Sequence, residues 1–549
     1  MAGPSKRKRR RQGTEPSQVA NQQADRSRMS TAETTCWAIL LAVAVVLLIF
    51  EQHSQMFLAW TDEQIHFYVA KRVSQGAVLY RDIESARPPL VLLPLSCLIR
   101  LGCTPLLAGR MLVMGAQLAT AALLLWAGAR LASGRGGALA ALLFLTSPEI
   151  YDRIHYTGIQ SVSFTASACL IVSLCGGPLI AGVFCGLTLA TGQHGLVFCA
   201  VAGVTMLFWR RGGGGQFAAA TLGTAAIVFG GVWALGGRHL WQDLVGFHLH
   251  HLRLGEGVGS QFWQRLVPWI YEHAYIFVGV GLAIALRSRA STRANSSEDS
   301  TSWLAVKVLL VAVCAHVAMV FAMAESVFLY LVVIAPVLML LAAVGFDAAV
   351  DRWREGRPLP KLRLQRVRRL LAGGGVVTVI VTAAGWGAAR SLREEMDHRS
   401  YSFLPHLLHG EVSRFNDVEP AIRAIGASML PGEGTIFGDP TIVSALALHA
   451  GRRVAAELAD LNPNWLDAGT VAPESVVSRI EEDGVGAVIT PPFGLVQNPY
   501  FKKYLFACYD KPSAFFPPES GAGSGLTFFL VFAHRRTADR CTPEAFNSH

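Results

Sequence analysis

Along the 549 residues, long apolar runs alternate with short basic segments. A bilayer's hydrocarbon takes roughly 20 apolar residues per helix. On that measure the pattern predicts spans over 35–50, 106–131, 136–145, 159–175, 180–190, 196–209, 217–235, 270–286, 303–323, 327–346 and 370–389. The segments 136–145 and 180–190 are the shortest of these. Residues 88–101 are also apolar, but Pro88, Pro89, Pro94 and Arg100 favour a half-inserted or interfacial helix there. The expected core is therefore an all-α polytopic membrane domain of about 11 transmembrane helices.

The polar intervals orient this core. With the N-terminus inside, the inner loops are 130–135, 210–211, 287–302 and 352–369, the most basic short loops of the chain. Residues 1–34 are polar and carry the run Lys6-Arg7-Lys8-Arg9-Arg10-Arg11, as expected of a disordered cytoplasmic tail. No small-residue cleavage site follows the first apolar run, which argues against a signal peptide. The outer segments are then 51–87, 147–158, 192–194, 236–269 and everything after 390. Residues 35–389 form the membrane domain. In 390–549 the pattern changes to strand–helix alternation: strands at 435–437, 453–455, 487–489 and 526–533, helices from Asp439-Pro440 to Leu448 and over 474–482. That alternation predicts a small extracytoplasmic α/β domain.

Composition agrees. The chain is 52% hydrophobic, and its 16% of charged residues falls well short of the quarter usual in soluble proteins. The net charge of +10 lies largely in loops beside apolar runs, where it reports topology and not nucleic-acid binding. Seven cysteines (97, 103, 169, 175, 185, 199 and 314) lie in or beside apolar segments without the paired spacing of a zinc or redox site. They read as small buried hydrophobes. Cys508 and Cys541 lie in the polar tail, where a disulfide is compatible with the outer compartment.

Candidate chemistry gathers on the outer face. Asp62-Glu63 follow the first span by about ten residues; two adjacent carboxylates can deprotonate a hydroxyl, orient an acceptor or hold a divalent metal. An isolated pair of this kind is equally an ordinary solvated loop start. Glu149 and Asp152 after Pro148 are either a second acidic group or helix caps. His248, His250 and His251 cannot all face one point on a regular helix, so a three-histidine metal site is disfavoured. His248 and His251 could still contact phosphate, with Phe247, Trp241 and Trp263 as interfacial anchors. Outer cations available to an anionic group are Lys71, Arg72, Arg87, His194, Arg253 and Arg265, and Glu325 is an ionisable group at a span end. Gly212–Gly215 follows Arg210-Arg211 in an inner loop and reads as a flexible turn, so no phosphate-cradling loop is present.

The loop after Asp62-Glu63 continues through Gln75-Gly76, Leu79-Tyr80-Arg81-Asp82 and Arg87-Pro88-Pro89-Leu90, and Ala108-Gly109-Arg110 opens the next span. This order resembles the family 39 glycosyltransferases of the GT-C type, which include the protein O-mannosyltransferases and the lipid A aminoarabinose transferases. Their first outer loop reads Asp-Glu, Gly-x-x-x-Tyr-x-Asp, Pro-Pro-Leu and then Ala-x-Arg. Thr191-Gly192-Gln193-His194-Gly195-Leu196 is similar to the family's Lys-Gln-x-Gly-Leu turn, with Gly192 where lysine is usual. Phe328-Leu329-Tyr330-Leu331 with Pro336 is similar to its His-Tyr region, with the histidine absent. Phe437-Gly438-Asp439-Pro440 and Ala450-Gly451-Arg452-Arg453 resemble outer domains of bacterial members.

The resemblance implies transfer of a hexosyl or pentosyl group from a polyprenyl-phosphate donor to a glycan, lipid or protein acceptor at the outer face, with inversion. It implies no nucleotide cofactor; a divalent metal is compatible with it. Asp62 would be the base or acceptor-orienting group, with Glu63, Glu149 and Asp152 as further acids. Tyr80, Asp82, Arg87, Gln193, His194, His248, His251 and Arg253 would meet substrate. Two other classes compete: a polytopic transporter or flippase, and a GT-C protein that has become a binding factor. Transporters usually show paired halves and midplane charges; this sequence shows no duplication and few charges within its spans.

Overall fold

The computed structural model describes residues 29–54, 62–147, 157–208, 212–235, 237, 239–246, 266–267, 269–270, 273–291, 297–322, 328–354, 434–461, 466, 471–491, 495–515 and 529–533. The helices of the first part are α1 (Thr31–Ser54), α2 (Asp62–Ser74), α3 (Pro89–Arg100), α4 (Pro105–Leu131), α5 (Gly134–Leu145), α6 (Thr157–Cys175), α7 (Pro178–Thr191), α8 (Leu196–Phe208), α9 (Gly214–Ala234), α10 (Ala274–Ser291), α11 (Ser297–Ala322) and α12 (Ala335–Arg354).

By length and composition, five described helices can cross a membrane: α1 over Thr31–Ile49, α4, α6, α9 and α11 over Trp303–Phe321. Shorter apolar helices at Pro89–Arg100, Gly134–Leu145, Pro178–Thr191, Gln193–Phe208 and Ala274–Leu286 accompany them. The expected continuous span 327–346 is instead a 3-10 turn, Phe328–Val333, followed by α12. The expected span 370–389 lies outside the described residues. Ile39 and Val43 on α1, and Leu222 and Ile227 on α9, are exposed apolar side chains. Lipid, as apolar as they are, accounts for such faces. The chain is an integral membrane protein.

Helix ends follow local chemistry. Thr104 caps α4 by accepting the Leu107 N–H at 3.3 Å, with Pro105 as the first helical residue. Ser133 caps α5 through the Gly136 N–H at 3.2 Å. Between these caps α4 and α5 double back so closely that a Cβ on Gly137 would lie 2.2 Å from the Leu125 carbonyl oxygen. Only glycine admits that approach, the small-residue packing by which membrane helices associate. At the same end, Arg135 binds Asp347 of α12 at 2.8 Å and Asp351 at 2.6 Å, and the Ser133 hydroxyl donates to Asp347 at 2.9 Å.

The C-terminal part is a five-stranded sheet of order β2-β1-β3-β5-β4: β1 (Thr435–Gly438), β2 (Arg453–Val454), β3 (Ala487–Thr490), β4 (Ser513–Phe515) and β5 (Phe529–Ala533). β1 pairs parallel with β2 and β3, in register Ile436 to Val454 and Phe437 to Val488. β5 runs antiparallel to β3 and β4. Gly438, at φ +149, brings β1 against β3 so tightly that a Cβ would meet the Ile489 carbonyl. The chain then turns into α13 (Pro440–Ala450), capped by Asp439. α14 (Pro473–Glu482) packs beside α15 (Pro499–Cys508), and Cys508 is disulfide-bonded. The pattern reading lacked α15 and β4, although Asn498 as cap and Pro499 as first residue are start signals in the sequence.

The segment expected as an outer loop, 51–87, contains α2, which is the seat of this second part. Ile65, Tyr68, Val69, Leu79, Tyr80 and Ile83 share one buried apolar cluster with Ile442, Val443, Leu446 and Ala447 of α13. Polar contacts fix the register. Glu457 accepts from Arg72 Nε at 2.9 Å and from the Tyr68 hydroxyl at 3.3 Å, and Tyr68 accepts the Val454 N–H at 2.7 Å. Arg479 pairs with Glu84. Replacing Glu457 with alanine leaves the Arg72 fork and the Tyr68 hydroxyl without their acceptor, at a cost of about 2 kcal/mol. The expected outcome is faster release of a C-terminal fragment in limited proteolysis of the detergent-solubilised Glu457→Ala protein. Unchanged cleavage kinetics would show that the apolar cluster alone holds the contact.

Candidate functional site

The first turn of α2 divides the acidic pair. Adjacent helical residues point about 100° apart, so when one faces the bundle the other does not. Glu63 points inward and is buried. Both its oxygens meet the Arg110 guanidinium of α4, at 3.0 and 2.8 Å, and Oε1 also accepts the Thr157 hydroxyl of α6 at 3.0 Å. Asp62 points outward, with 45% of its side chain exposed, and meets Arg87 Nη2 at 3.1 Å. Both carboxylates also lie in the first turn, where the helix dipole favours them.

Arg87 stands between two carboxylates from different parts of the chain. Its Nε lies 3.5 Å from Asp460 Oδ1. Asp460 is buried and accepts the Ala86 N–H at 2.8 Å and the Ser85 hydroxyl at 3.1 Å. Burial pushes its carboxyl above the usual range, with Arg87 opposing. Asp439, raised likewise by burial, feels the Asp62 charge as well. Two carboxylates thus meet one arginine, the second of them supplied by the α/β part.

Tyr80 and Asp82 shape the approach to Arg87. Tyr80 is buried in the left-handed region at φ +62, its N–H donating to the Ile83 carbonyl at 3.0 Å and its hydroxyl to the Arg87 carbonyl. A non-glycine residue held there costs of order 1–3 kcal/mol and persists only where its surroundings enforce it. Asp82 accepts the Val78 N–H at 2.8 Å and pairs with Arg81, closing its own turn. The two residues expected to meet substrate therefore brace the segment that aims Arg87.

One turn after Asp62, His66 lies buried at the i+4 position, its Cε1 3.5 Å from where a Gly158 Cβ would stand. Burial, with Arg87 adding to it and Asp62 opposing, pushes its pKa down to about 3, so the imidazole is neutral at physiological pH. Nδ1 has no hydrogen-bond partner among the described residues. The sequence reading passed over His66, although helical spacing from Asp62 would have marked it.

The other expected site residues fall elsewhere. Gln193 and His194 form a 3-10 turn between α7 and α8, with His194 buried. Lys71 and Arg72 sit nine and ten residues beyond Asp62, more than about 13 Å along α2, and Arg72 is committed to Glu457. Glu149, Asp152, His248, His251, Arg253, Arg265 and Glu325 lie outside the described residues. Glu63 is saturated by Arg110 and Thr157, which leaves Asp62 as the open carboxylate of the pair.

The chain shares its fold with a solved structure. It is similar to ArnT from Cupriavidus metallidurans bound to undecaprenyl phosphate, with a TM-score of 0.60, 14% identity, and coverage of 92% of this chain and 99% of that one. The apo state of the same protein gives a TM-score of 0.60 at 15% identity, over 92% and 98%. The arabinofuranosyltransferase AftD from Mycobacteria aligns at a TM-score of 0.48 and 14% identity, covering 94% of this chain and 40% of that one; at that level the likeness carries no weight. No protein-family model and no curated protein sequence matches the chain. The fold is that of the GT-C type membrane glycosyltransferases.

Asp243 supplies a pH signature for the site's surroundings. It is buried, accepts the Ser85 N–H at 3.4 Å, and is pushed up from 3.8 to about 7, chiefly by burial. A raised folded-state pKa contributes stability that is complete below pH 3.8 and is lost as pH rises through about 7. Asparagine keeps the acceptor and cannot ionise. The melting temperature of Asp243→Asn relative to the parent should therefore climb between pH 5 and pH 8, by about 1.4 kcal/mol of relative stability per pH unit up to the folded pKa. A difference that does not change with pH would show that Asp243 ionises without cost.

Proposed function

We propose that this chain is a glycosyltransferase that moves a sugar from a polyprenyl-phosphate carrier to an acceptor at the outer face of the membrane. The observation that carries this reading is the division of labour within the acidic pair. Glu63 is neutralised inside the bundle by Arg110, while Asp62 stands open beside a cation and a neutral imidazole. The fold it shares with an enzyme solved bound to undecaprenyl phosphate supports a lipid-phosphate donor. The disulfide at Cys508 supports an oxidising, extracytoplasmic compartment for the C-terminal part.

The residues have distinct roles in this reaction. Asp62 orients the acceptor hydroxyl or amine and takes its proton as the lone pair attacks the anomeric carbon. The carbon–oxygen bond to phosphate breaks on the opposite face, and its electron pair leaves on the phosphate oxygen, inverting the sugar. Arg87 meets the charge developing on that phosphate. Glu63, Arg110, Tyr80 and Asp460 are positioning residues that hold Asp62 and Arg87 in register. His66 borders Asp62, and because burial lowers its basicity it leaves the acceptor proton to Asp62.

The test uses membranes expressing the protein, permeabilised and supplied with radiolabelled undecaprenyl-phosphate-linked pentoses and hexoses. Transfer should fall by about 10²–10⁴-fold in Asp62→Asn, with expression and melting temperature unchanged. Glu63→Gln should instead lower the melting temperature, because Arg110 is left as a buried charge. Full transfer by Asp62→Asn would remove Asp62 from the mechanism. Absence of transfer by the parent protein from every donor in the panel would sink the reading itself.

A further inference from the structure

Three cysteines that are far apart in sequence meet inside the membrane part. Cys169 comes from α6, Cys185 from α7 and Cys199 from α8, and their sulfur atoms all lie within 4.8 Å of one another. All three are buried, and the Cys199 thiol also faces the Cys185 carbonyl at 3.8 Å. Among the described residues this is the one group of three or more histidine, cysteine, aspartate or glutamate side chains whose ligand atoms converge in this way. No pair of them has the spacing that marks a metal site in a sequence. Each lies on a separate helix, and only the packing of those helices joins them.

The chemistry of such a cradle is specific. Zinc in a structural site takes four ligands, and among the described residues no fourth histidine, cysteine, aspartate or glutamate joins these three. Soft sulfur ligands select soft ions, with copper(I) foremost, over magnesium or calcium. Cys169 is fully buried, and Cys185 and Cys199 are 4% and 8% exposed. We propose that Cys169, Cys185 and Cys199 form a three-sulfur site for a soft monovalent cation of the copper(I) class, tying α6, α7 and α8 together. Binding displaces thiol protons to solvent, so affinity rises with pH. The site is independent of the proposed transfer reaction.

The full-length protein, purified in detergent, tests this by titration with copper(I) against a chromophoric copper(I) chelator. Ascorbate serves as reductant because it leaves the Cys508 disulfide intact. Background thiols are removed by replacing Cys36, Cys97, Cys103, Cys175 and Cys314 with serine. That protein should withhold one copper per chain from the chelator, and a further Cys185→Ser replacement should abolish the retention while leaving the metal-free melting temperature unchanged. X-ray absorption on the five-serine protein decides the ligand set even if Cys185→Ser does not fold, with three sulfur neighbours expected. Failure of the five-serine protein to withhold copper, equal retention after Cys185→Ser, or a nitrogen- or oxygen-dominated spectrum would each overturn the proposal.

Discussion

The bidentate pair between Glu63 and Arg110 is the constraint on which the candidate site depends. It joins α2 to α4, and the Thr157 hydroxyl extends it to α6. Removing one partner from a buried pair of this kind costs about 3–5 kcal/mol, because the other charge is stranded. That penalty fixes the rotation of α2 about its axis. Once Glu63 faces the bundle, Asp62 must face outward and His66 must fall on the turn beneath it. The open carboxylate is thus placed by a salt bridge in which it takes no part.

A second layer of constraint comes from the α/β part. Its apolar contact with α2 provides the adhesion, and Glu457, Asp460 and Arg479 set the register against Tyr68, Arg72, Ser85 and Glu84. Glu457 itself lies at φ +53, next to Ala456 at φ +49, so backbone strain is concentrated at this docking point. Strain of this sort persists where surrounding contacts over-determine the conformation. Arg87 gains its second carboxylate, Asp460, only through this docking. The membrane helices and the sheet therefore build the electrostatics of the site jointly.

Opposing titrations surround that site. His66 is held neutral by burial, and Asp243 and Asp460 have their carboxyls raised by it. Stability linked to His66 is lost as pH falls from 6.5 toward about 3, whereas that linked to Asp243 is lost as pH rises from 3.8 toward 7. Between these limits the two slopes have opposite sign, so the His66 and Asp243 contributions oppose each other over mildly acidic pH.

The sequence by itself determined what depends on local pattern. Apolar length marked the membrane core, alternation marked β1, α13 and β3, and the order from Asp62-Glu63 through Tyr80 to Arg110 marked the segment that carries the candidate site. These features follow from the free energy of placing each side chain in lipid, sheet or water, which neighbouring residues suffice to report. Rotation and convergence were beyond it. Only the packed helices decided that Glu63 is spent on Arg110, that the buried Tyr80 donates to the Arg87 carbonyl, and that Asp460 joins Arg87 from more than 350 residues away. The three cysteines make the same point, since a spacing of 16 and then 14 residues carries no signal until α6, α7 and α8 lie side by side. Long-range pairs are fixed by which faces the helices bury against one another, and that choice belongs to the whole chain at once.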